Sequence, residues 1–498
     1  MSQWNYFEIL KLAMPETMLA IAALAVLFVD LAGMRGIERS YRRLAGAAVS
    51  CLGCFAAAFW LIQMETSGVV GHGLLVVDPL TRLVKLALVA LTALTALISV
   101  DSDFTDHVGE YFALLLIGTI GMLFLVGTEN LLMLFVALEL TSLSLYVLTA
   151  FNKRNARSAE AALKYFLFGS MAAAFTLYGL SLIYGLSGSI ELRTIATALA
   201  GQGLDPLLAT ALVMTVIGFG FKVAAVPFHL WAPDAYQGAP TPSAAFIASG
   251  SKVAGFFILA KVLMLGFDGV PGSAAWGGVG AGWIPVLAVM AAASMVLGNL
   301  AAIVQPSVKR LLAYSAVAHT GYALLGVAAD TIPGLSGLVY YVITYALSTL
   351  GAFAVVTLVE DGAGDARLVD FAGLSRRAPL MSLCMMVFIL SLAGIPPLAG
   401  FFGKFYVFAA AVGSGSGPLG LLWLVALAIA MSAVSLYYYL QVLKQIYVLS
   451  PAGSVPLVKA SVAFQVGVVG LALGTVVLGC FPHLLVGPVT AAIAAAGY

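Results

Sequence analysis

Apolar stretches of about 20 residues, the length a helix needs to cross a bilayer, follow one another along nearly the whole chain with short polar turns between them. They fall near 13–32, 45–64, 78–100, 110–126, 131–151, 160–186, 205–236, 242–265, 283–304, 310–329, 335–359, 379–411, 419–448 and 458–480, fourteen in number. No room is left for a separate water-soluble catalytic domain. Composition agrees: of 498 residues, 62% are hydrophobic and 9% charged, and the mean hydropathy is +1.07. A soluble chain of this size could not cover its surface with so few charges. The expected fold is an all-α polytopic membrane protein. Its net charge of +1 implies no nucleic-acid partner.

The turns set an orientation. Arg35, Arg39, Arg42 and Arg43 come after the first apolar run, the reverse of a cleaved signal peptide. Alternating from there, Lys153, Arg154, Arg157, Lys309, Arg310, Arg367, Arg376 and Arg377 all fall on the side of that arginine turn, with Arg193 the exception. The positive-inside rule then predicts a cytoplasmic arginine turn. An even number of spans puts both termini on the periplasmic side of a bacterial inner membrane.

Two stretches are too long for one helix and are punctuated. Span seven, 205–236, runs through Gly218 and Gly220 to Lys222, then meets Pro227, His229 and Pro233. Gly238, Pro240 and Pro242 lead from it into span eight, which carries Lys252. Span twelve, 379–411, contains Gly394, Pro396, Pro397, Gly400, Gly403 and Lys404. Broken backbone at membrane depth is tolerated only where its freed groups face protein or a water-filled cavity. Spans seven and twelve are an odd number apart, so they run in opposite directions. Matching interrupted segments in two halves point to an inverted-repeat transporter with sites near the midplane. The expected division is 1–109 (spans one to three), 110–265 (a five-helix repeat, spans four to eight), 283–448 (its inverted counterpart, spans nine to thirteen) and 458–498 (the C-terminal helix). It makes Lys404 the counterpart of Lys222.

A lysine in hydrocarbon costs roughly 2.5–3.5 kcal/mol on insertion scales, and four unpaired charges would cost on the order of 10–14 kcal/mol. Glu139 lies mid-span, too far from either end to snorkel. Its available cations at depth are Lys164, Lys222, Lys252 and Lys404, with Lys164 nearest a membrane surface; His229 and His319 lie in or beside the same spans. One buried path on which these groups pair and hydrate is the economical reading. Sodium and calcium want several oxygen ligands, which no carboxylate cluster supplies here. Lysine suits proton transfer, because its affinity for the proton moves readily on burial. Arg82 and Lys85 read as interfacial anchors. Tyr437, Tyr438 and Tyr439 fit packing better than a water path.

At these residues the sequence resembles the antiporter-like membrane subunits of proton-pumping NADH:quinone oxidoreductase, respiratory complex I, and most of all the N type. The matching stretches are Leu134 to Tyr146, Ser158 to Phe166, Phe221 to Asp234, Lys309 to Tyr322, Ser391 to Phe405 and Ser435 to Leu440. The resemblance covers about 130–450, in order. It implies fourteen helices with two inverted five-helix repeats and discontinuous helices seven and twelve. It places the family's proton-translocating charge line on Glu139, Lys164, Lys222, Lys252 and Lys404, with His229 and His319 on the polar axis. The M type has a glutamate where Lys404 stands, and the L type carries a C-terminal extension that is not seen here. The implied activity is proton transport coupled to electron transfer from NADH to quinone. FMN, iron–sulfur clusters and quinone belong to partner subunits, and the expected neighbours are subunit M, small membrane subunits and lipid. A cation/proton antiporter of the Mrp type is the alternative. Gln237 replaces a usual glutamate, removing a carboxylate from the cytoplasmic end, and Met431 replaces a usual asparagine.

Cys51 and Cys54 form a C-x-x-C inside an apolar span with no second pair nearby, and Cys384 and Cys480 are far off in sequence. Zinc or an iron–sulfur cluster wants four clustered ligands. The chain also has no P-loop, dinucleotide fingerprint or haem motif. The expectation is no metal, bound cofactor or redox centre in this chain. Replacing both Cys51 and Cys54 with serine is expected to leave the iron and zinc content of the purified protein unchanged, as measured by mass spectrometry of the metals.

Overall fold

The computed structural model describes residues 6–64, 67–201, 203–363, 366–414, 419–450 and 460–497. Among these, twelve helices are long and apolar enough to cross a membrane, and two further spans are each built from a pair of shorter helices. Spans one to six are Met14–Gly33, Arg39–Gln63, Pro79–Ile98, Val108–Val126, Leu131–Thr149 and Ala156–Ser187. Span seven is Pro206–Lys222 followed by Trp231–Gly238, and span eight is Thr241–Gly266. Spans nine to eleven are Trp283–Ile303, Val308–Ala328 and Ile332–Ala363. Span twelve is Pro379–Ala393 followed by Ala399–Val412; spans thirteen and fourteen are Leu422–Tyr447 and Val462–Cys480. The chain is an all-α polytopic membrane protein whose two discontinuous helices are the seventh and twelfth.

Several ends are fixed by caps that their sequences supply. Asp78, Asn130 and Asp205 each accept backbone N–H groups from the first turn of the following span, and Pro79 and Pro206 open their helices where no N–H is needed. Two antiparallel hairpins, Gly68–Val70 with Leu75–Val77 and Ser273–Ala275 with Gly278–Gly280, sit on one face of the bundle. We call it the hairpin face, and the opposite one, with the Arg39–Arg43 segment, the arginine face. The hairpins were not expected from the sequence, nor was the short helix Leu192–Leu199. The C-terminal region holds two helices, because Pro482 separates span fourteen from His483–Ala496. The expected start of span fourteen at 458 and the last residue, Tyr498, lie outside the described residues.

Spans eight, ten and eleven are buried along almost their whole length, whereas one, six and thirteen keep most of theirs outward. The inner helices form an axis between the two breaks. Close approach is set by glycine, as is usual where lipid gives helices no hydrophobic reason to associate. Spans nine and ten interlock through Gly298 and Gly321: a Cβ on Gly298 would lie 2.5 Å from the Ala318 nitrogen, and one on Gly321 2.7 Å from the Ala291 oxygen. Neither backbone atom can move aside. Gly298→Ala is therefore expected to cost about 1–3 kcal/mol through overpacking, lowering the unfolding midpoint in detergent. Gly470→Ala, on open space in span fourteen, should leave the midpoint unchanged.

Candidate proton path through the bundle

Both breaks are satisfied by protein, as backbone at membrane depth requires. In span seven the first half ends at Lys222. Pro227 has no N–H to give, the Val226 N–H donates to Ser294 Oγ (2.9 Å), and Trp231 Nε1 donates to the Phe221 carbonyl (3.0 Å). In span twelve Gly394 takes a left-handed conformation (φ 88°), and the Gly400 N–H donates to Ser391 Oγ (3.1 Å). Span eight also bends, at Ser249, whose hydroxyl donates back to the Ala245 carbonyl (2.7 Å). Lys252 follows within one turn.

The three lysines at these points are buried, and none has a carboxylate within ion-pair distance among the described residues. Lys222 Nζ donates to Ser142 Oγ (3.1 Å), one turn beyond Glu139 on span five, so Lys222, one of the four cations available to Glu139, is not in direct contact with it. Glu139 itself is half-buried. Lys252 Nζ donates to the Ala316 carbonyl (2.6 Å) and Thr320 Oγ1 (2.8 Å) on span ten. Lys404 Nζ donates to the carbonyls of Leu392 (3.2 Å) and Ala393 (3.0 Å) and to Ser432 Oγ (2.8 Å). Ser432 thus gives a polar partner beside Met431. Lys404 is not the positional equivalent of Lys222: it stands on the second half of its span, and Lys222 ends the first half of its own. Lys404 reaches back to the carbonyl end of the preceding half-helix, so its ammonium, not its sequence position, matches.

Polar groups join the lysines. The Lys222 side chain packs on Gly255, where a Cβ would lie 3.3 Å from its Cγ, and Thr320 Oγ1 donates to the Val223 carbonyl (2.7 Å) in the span-seven break. Lys252 lies 5.7 Å from the Tyr345 ring centre, and that ring is 4.9 Å from the His319 ring. His319 Nδ1 meets the Tyr341 hydroxyl (2.6 Å) and Nε2 the Tyr439 hydroxyl (3.0 Å), which also bonds Ser315. Tyr322 lies edge-on to His319 and 5.0 Å below the Lys404 ammonium. Lys404 borders a cavity of about 320 Å³ between the span-twelve break and span thirteen, lined by Gly394, Phe401, Phe405 and Ser432.

Other expectations need correction. Tyr438 and Tyr439 do more than pack: Tyr438 donates to Asn299 Oδ1 (3.0 Å) and Tyr439 serves His319, while Tyr437 is exposed. Lys85 is no interfacial anchor. It is fully buried against Glu16 (2.6 Å). Lys164 is not buried; it pairs on the surface with Glu160 (2.8 Å) and Asp234 (2.9 Å). Asp234, also bound by Arg310 (2.8 Å), supplies a carboxylate at the end where Gln237 seemed to remove one. His229 is half-buried in the span-seven break, where its neighbours Pro227, Phe228 and Leu230 line an apolar groove that none of the three buried lysines borders. Sequence reasoning missed Ser142, Thr320, Tyr345 and Ser432. Only Ser142 had a signal, its one-turn spacing from Glu139. Among the described residues no three or more His, Cys, Asp or Glu gather as a metal-binding set.

This arrangement, two interrupted helices flanking a line of buried cations, defines an antiporter-like ion-translocating membrane protein. The family model for NADH:quinone oxidoreductase/Mrp antiporter transmembrane proteins matches residues 128–435, and the chain belongs to this family, on its NADH-quinone oxidoreductase subunit N branch. It is 49% identical over 494 residues to NADH-quinone oxidoreductase subunit N 2 of Acidobacterium capsulatum, covering 97% of this chain and 99% of that one. Its fold is similar to a chain of respiratory complex I from Thermus thermophilus with bound aureothin (TM-score 0.77, 32% identity, 95% and 98% covered). A chain of the Mrp complex from Dietzia has a TM-score of 0.81 at 22% identity, covering 98% of both chains, a likeness of fold alone.

Lys85 and Glu16 lie away from the row, and their pair is structural. Removing one partner of a buried pair typically costs 3–5 kcal/mol, while apolar replacement of both is often neutral. Lys85→Met is expected to lose most of the folded protein in size-exclusion profiles, and Lys85→Met with Glu16→Leu to recover it.

Proposed function

We propose that protons cross this membrane subunit of NADH:quinone oxidoreductase along the row from Glu139 through Lys222, Lys252 and His319 to Lys404, driven by electron transfer from NADH to quinone in other subunits. One observation carries the assignment. Lys222, Lys252 and Lys404 are buried against neutral oxygens, whereas Lys85, Lys164, Lys261 and Lys309 each face a carboxylate, at 2.6, 2.9, 3.5 and 3.0 Å. An ammonium fixed by a carboxylate keeps its proton; one held by neutral oxygens is free to release it. The units 110–265 and 283–448 form the two half-paths, meeting at Lys252. Lys164 and His229 flank this path, Lys164 on the arginine face and His229 at the break. The basic turns make the arginine face cytoplasmic and both termini periplasmic in a bacterial inner membrane. FMN, iron–sulfur clusters and quinone are held by partner subunits. Subunit M and small membrane subunits are the neighbours, and the cavity beside Lys404 fits a path continuing into such a neighbour.

Each proton moved against about 100 mV costs about 2.3 kcal/mol, which the redox reaction must deliver through a shift in this row. The test is made in vesicles holding the assembled complex. Lys222→Ala is expected to lower the pH gradient severalfold while NADH oxidation by an artificial acceptor continues. Equal loss of both activities in fully assembled complex would count against the reading. Lys404→Arg keeps the charge but cannot release a proton; it should assemble and pump poorly, and Lys404→Glu should retain more pumping than Lys404→Leu. Near-normal pumping by Lys404→Arg would make Lys404 a fixed charge.

A further inference from the structure

The row described above lies deep in the bundle, and none of its buried lysines touches the arginine face. A second line of polar groups, outside that row, connects the two. Glu360 stands near the inner end of span eleven on that face. Its carboxylate accepts from Lys309 Nζ (3.0 Å) and from Thr241 Oγ1 at the start of span eight. The Glu360 side chain is 29% exposed and Lys309 only 3%. Both line a cavity of about 220 Å³ shared with Asp103, Asn155, Gln237 and Thr357.

From this cavity one side of span eleven runs inward at four-residue spacing through Thr357, Phe353, Thr349 and Tyr345. At the level of Phe353 the polar group comes from span seven: the Tyr236 ring lies edge-on to Phe353 with centres 5.9 Å apart. The row ends at Tyr345, whose ring faces the Lys252 ammonium and the His319 imidazole. Tyr236, Thr349 and Tyr345 are buried; the Tyr345 and Thr349 hydroxyls face each other one turn apart, and among the described residues none of the three hydroxyls has a partner at full hydrogen-bond geometry. Buried hydroxyls are rarely left unpaired. Three such groups, consecutive along one line between a polar cavity and a buried lysine, have the chemistry to line a file of water.

We propose that this line is the proton's way in, with Glu360 as the port. The proposal rests on the translocating role given to the lysine row. Glu360 takes one proton from water in the cavity, its carboxylate becoming a carboxyl. Each water and hydroxyl along the line accepts one proton and passes one on, so none changes in net protonation. The Lys252 amine takes the last and becomes an ammonium, and Glu360 is left as a carboxylate again. Lys309 keeps its charge throughout and acts by position, holding the Glu360 oxygens at the cavity wall. Phe353 gives the line a hydrophobic side that confines the file.

The test uses the intact complex in inside-out vesicles, with protons pumped per NADH oxidised as the readout and acceptor-linked NADH oxidation as the check on assembly. Glu360→Gln, Thr349→Val and Tyr345→Phe are each expected to lower the pumped protons at least fivefold. Glu360→Asp, which keeps the carboxylate, should restore more than half. A role confined to packing would not distinguish Glu360→Gln from Glu360→Asp in this way. Thr349→Val and Tyr345→Phe change one buried atom group each, so they decide the matter if the Glu360 variants fail to assemble. Lys222→Ala is run alongside. Normal pumping by the Thr349→Val and Tyr345→Phe variants, with loss in Lys222→Ala, would overturn the entry line and leave the role of the row standing. Normal pumping by Lys222→Ala would overturn both.

Discussion

An ammonium in a membrane must be solvated by something, and here the solvent is neutral oxygen: backbone carbonyls at Lys252 and Lys404, and the hydroxyls of Ser142, Thr320 and Ser432. The last carbonyls of a helix have no N–H of their own to receive, and they carry the negative end of its dipole. A helix that stops in mid-membrane presents such a cluster at depth. Lys404 takes up two of these oxygens, on Leu392 and Ala393, at the end of the first half of span twelve. Lys222 is itself the last residue of the first half of span seven. At span twelve a cation and a break thus stabilise each other: the break frees oxygens for the Lys404 ammonium, and the ammonium gives those oxygens a donor, whereas Lys222 turns to the Ser142 hydroxyl on span five. Solvation by neutral oxygen leaves the ammonium without a fixed counter-charge, which a carboxylate would impose.

The chain uses both solutions, in different places. Glu16 holds Lys85, joining spans one and three, and Glu360 holds Lys309, joining the consecutive spans ten and eleven at their far ends. Glu129 faces Lys261 (3.5 Å) and is bound by the partly exposed Arg193 (3.1 Å) on the hairpin face. The Glu16–Lys85 and Glu129–Lys261 pairs fix helix positions. The unpaired lysines stand on spans seven, eight and twelve around span ten, where glycine lets helices approach: Gly255 under Lys222, Gly394 beside Lys404, and Gly298 with Gly321 behind His319. Rigid packing around mobile protons is the division of labour this implies.

Most of the scaffold could be read from the sequence because the bilayer writes length into it. Every span was located within a few residues, and the breaks at spans seven and twelve announced themselves by proline and glycine beside lysine. The partners of the charges could not be read. Glu16 is 69 residues from Lys85 and Glu360 is 51 from Lys309, so nothing local marks those lysines as paired and buried. Span thirteen is apolar on all sides, so nothing local tells that Tyr438 and Tyr439 turn inward while Tyr437 faces out. The offset between Lys222 and Lys404 was legible, since Lys222 precedes Pro227 and Lys404 follows Pro396 and Pro397; that the Lys404 side chain reaches back across the break was not. The hairpins were missed because strands of three residues carry too little pattern.

Thr320 stands where the span-seven break and span eight meet. Its oxygen accepts from Lys252 at 2.8 Å and donates to the Val223 carbonyl at 2.7 Å. A hydroxyl has a single hydrogen. While Lys252 is charged it has no lone pair to offer, and that hydrogen lies between Val223 and the Ala316 carbonyl one turn back on its own helix (3.0 Å). Once Lys252 is neutral its nitrogen becomes an acceptor as well, and one hydrogen faces a third claimant on another span. The protonation of one span thereby bears on a backbone bond of its neighbour through a single rotor, with no helix required to move first.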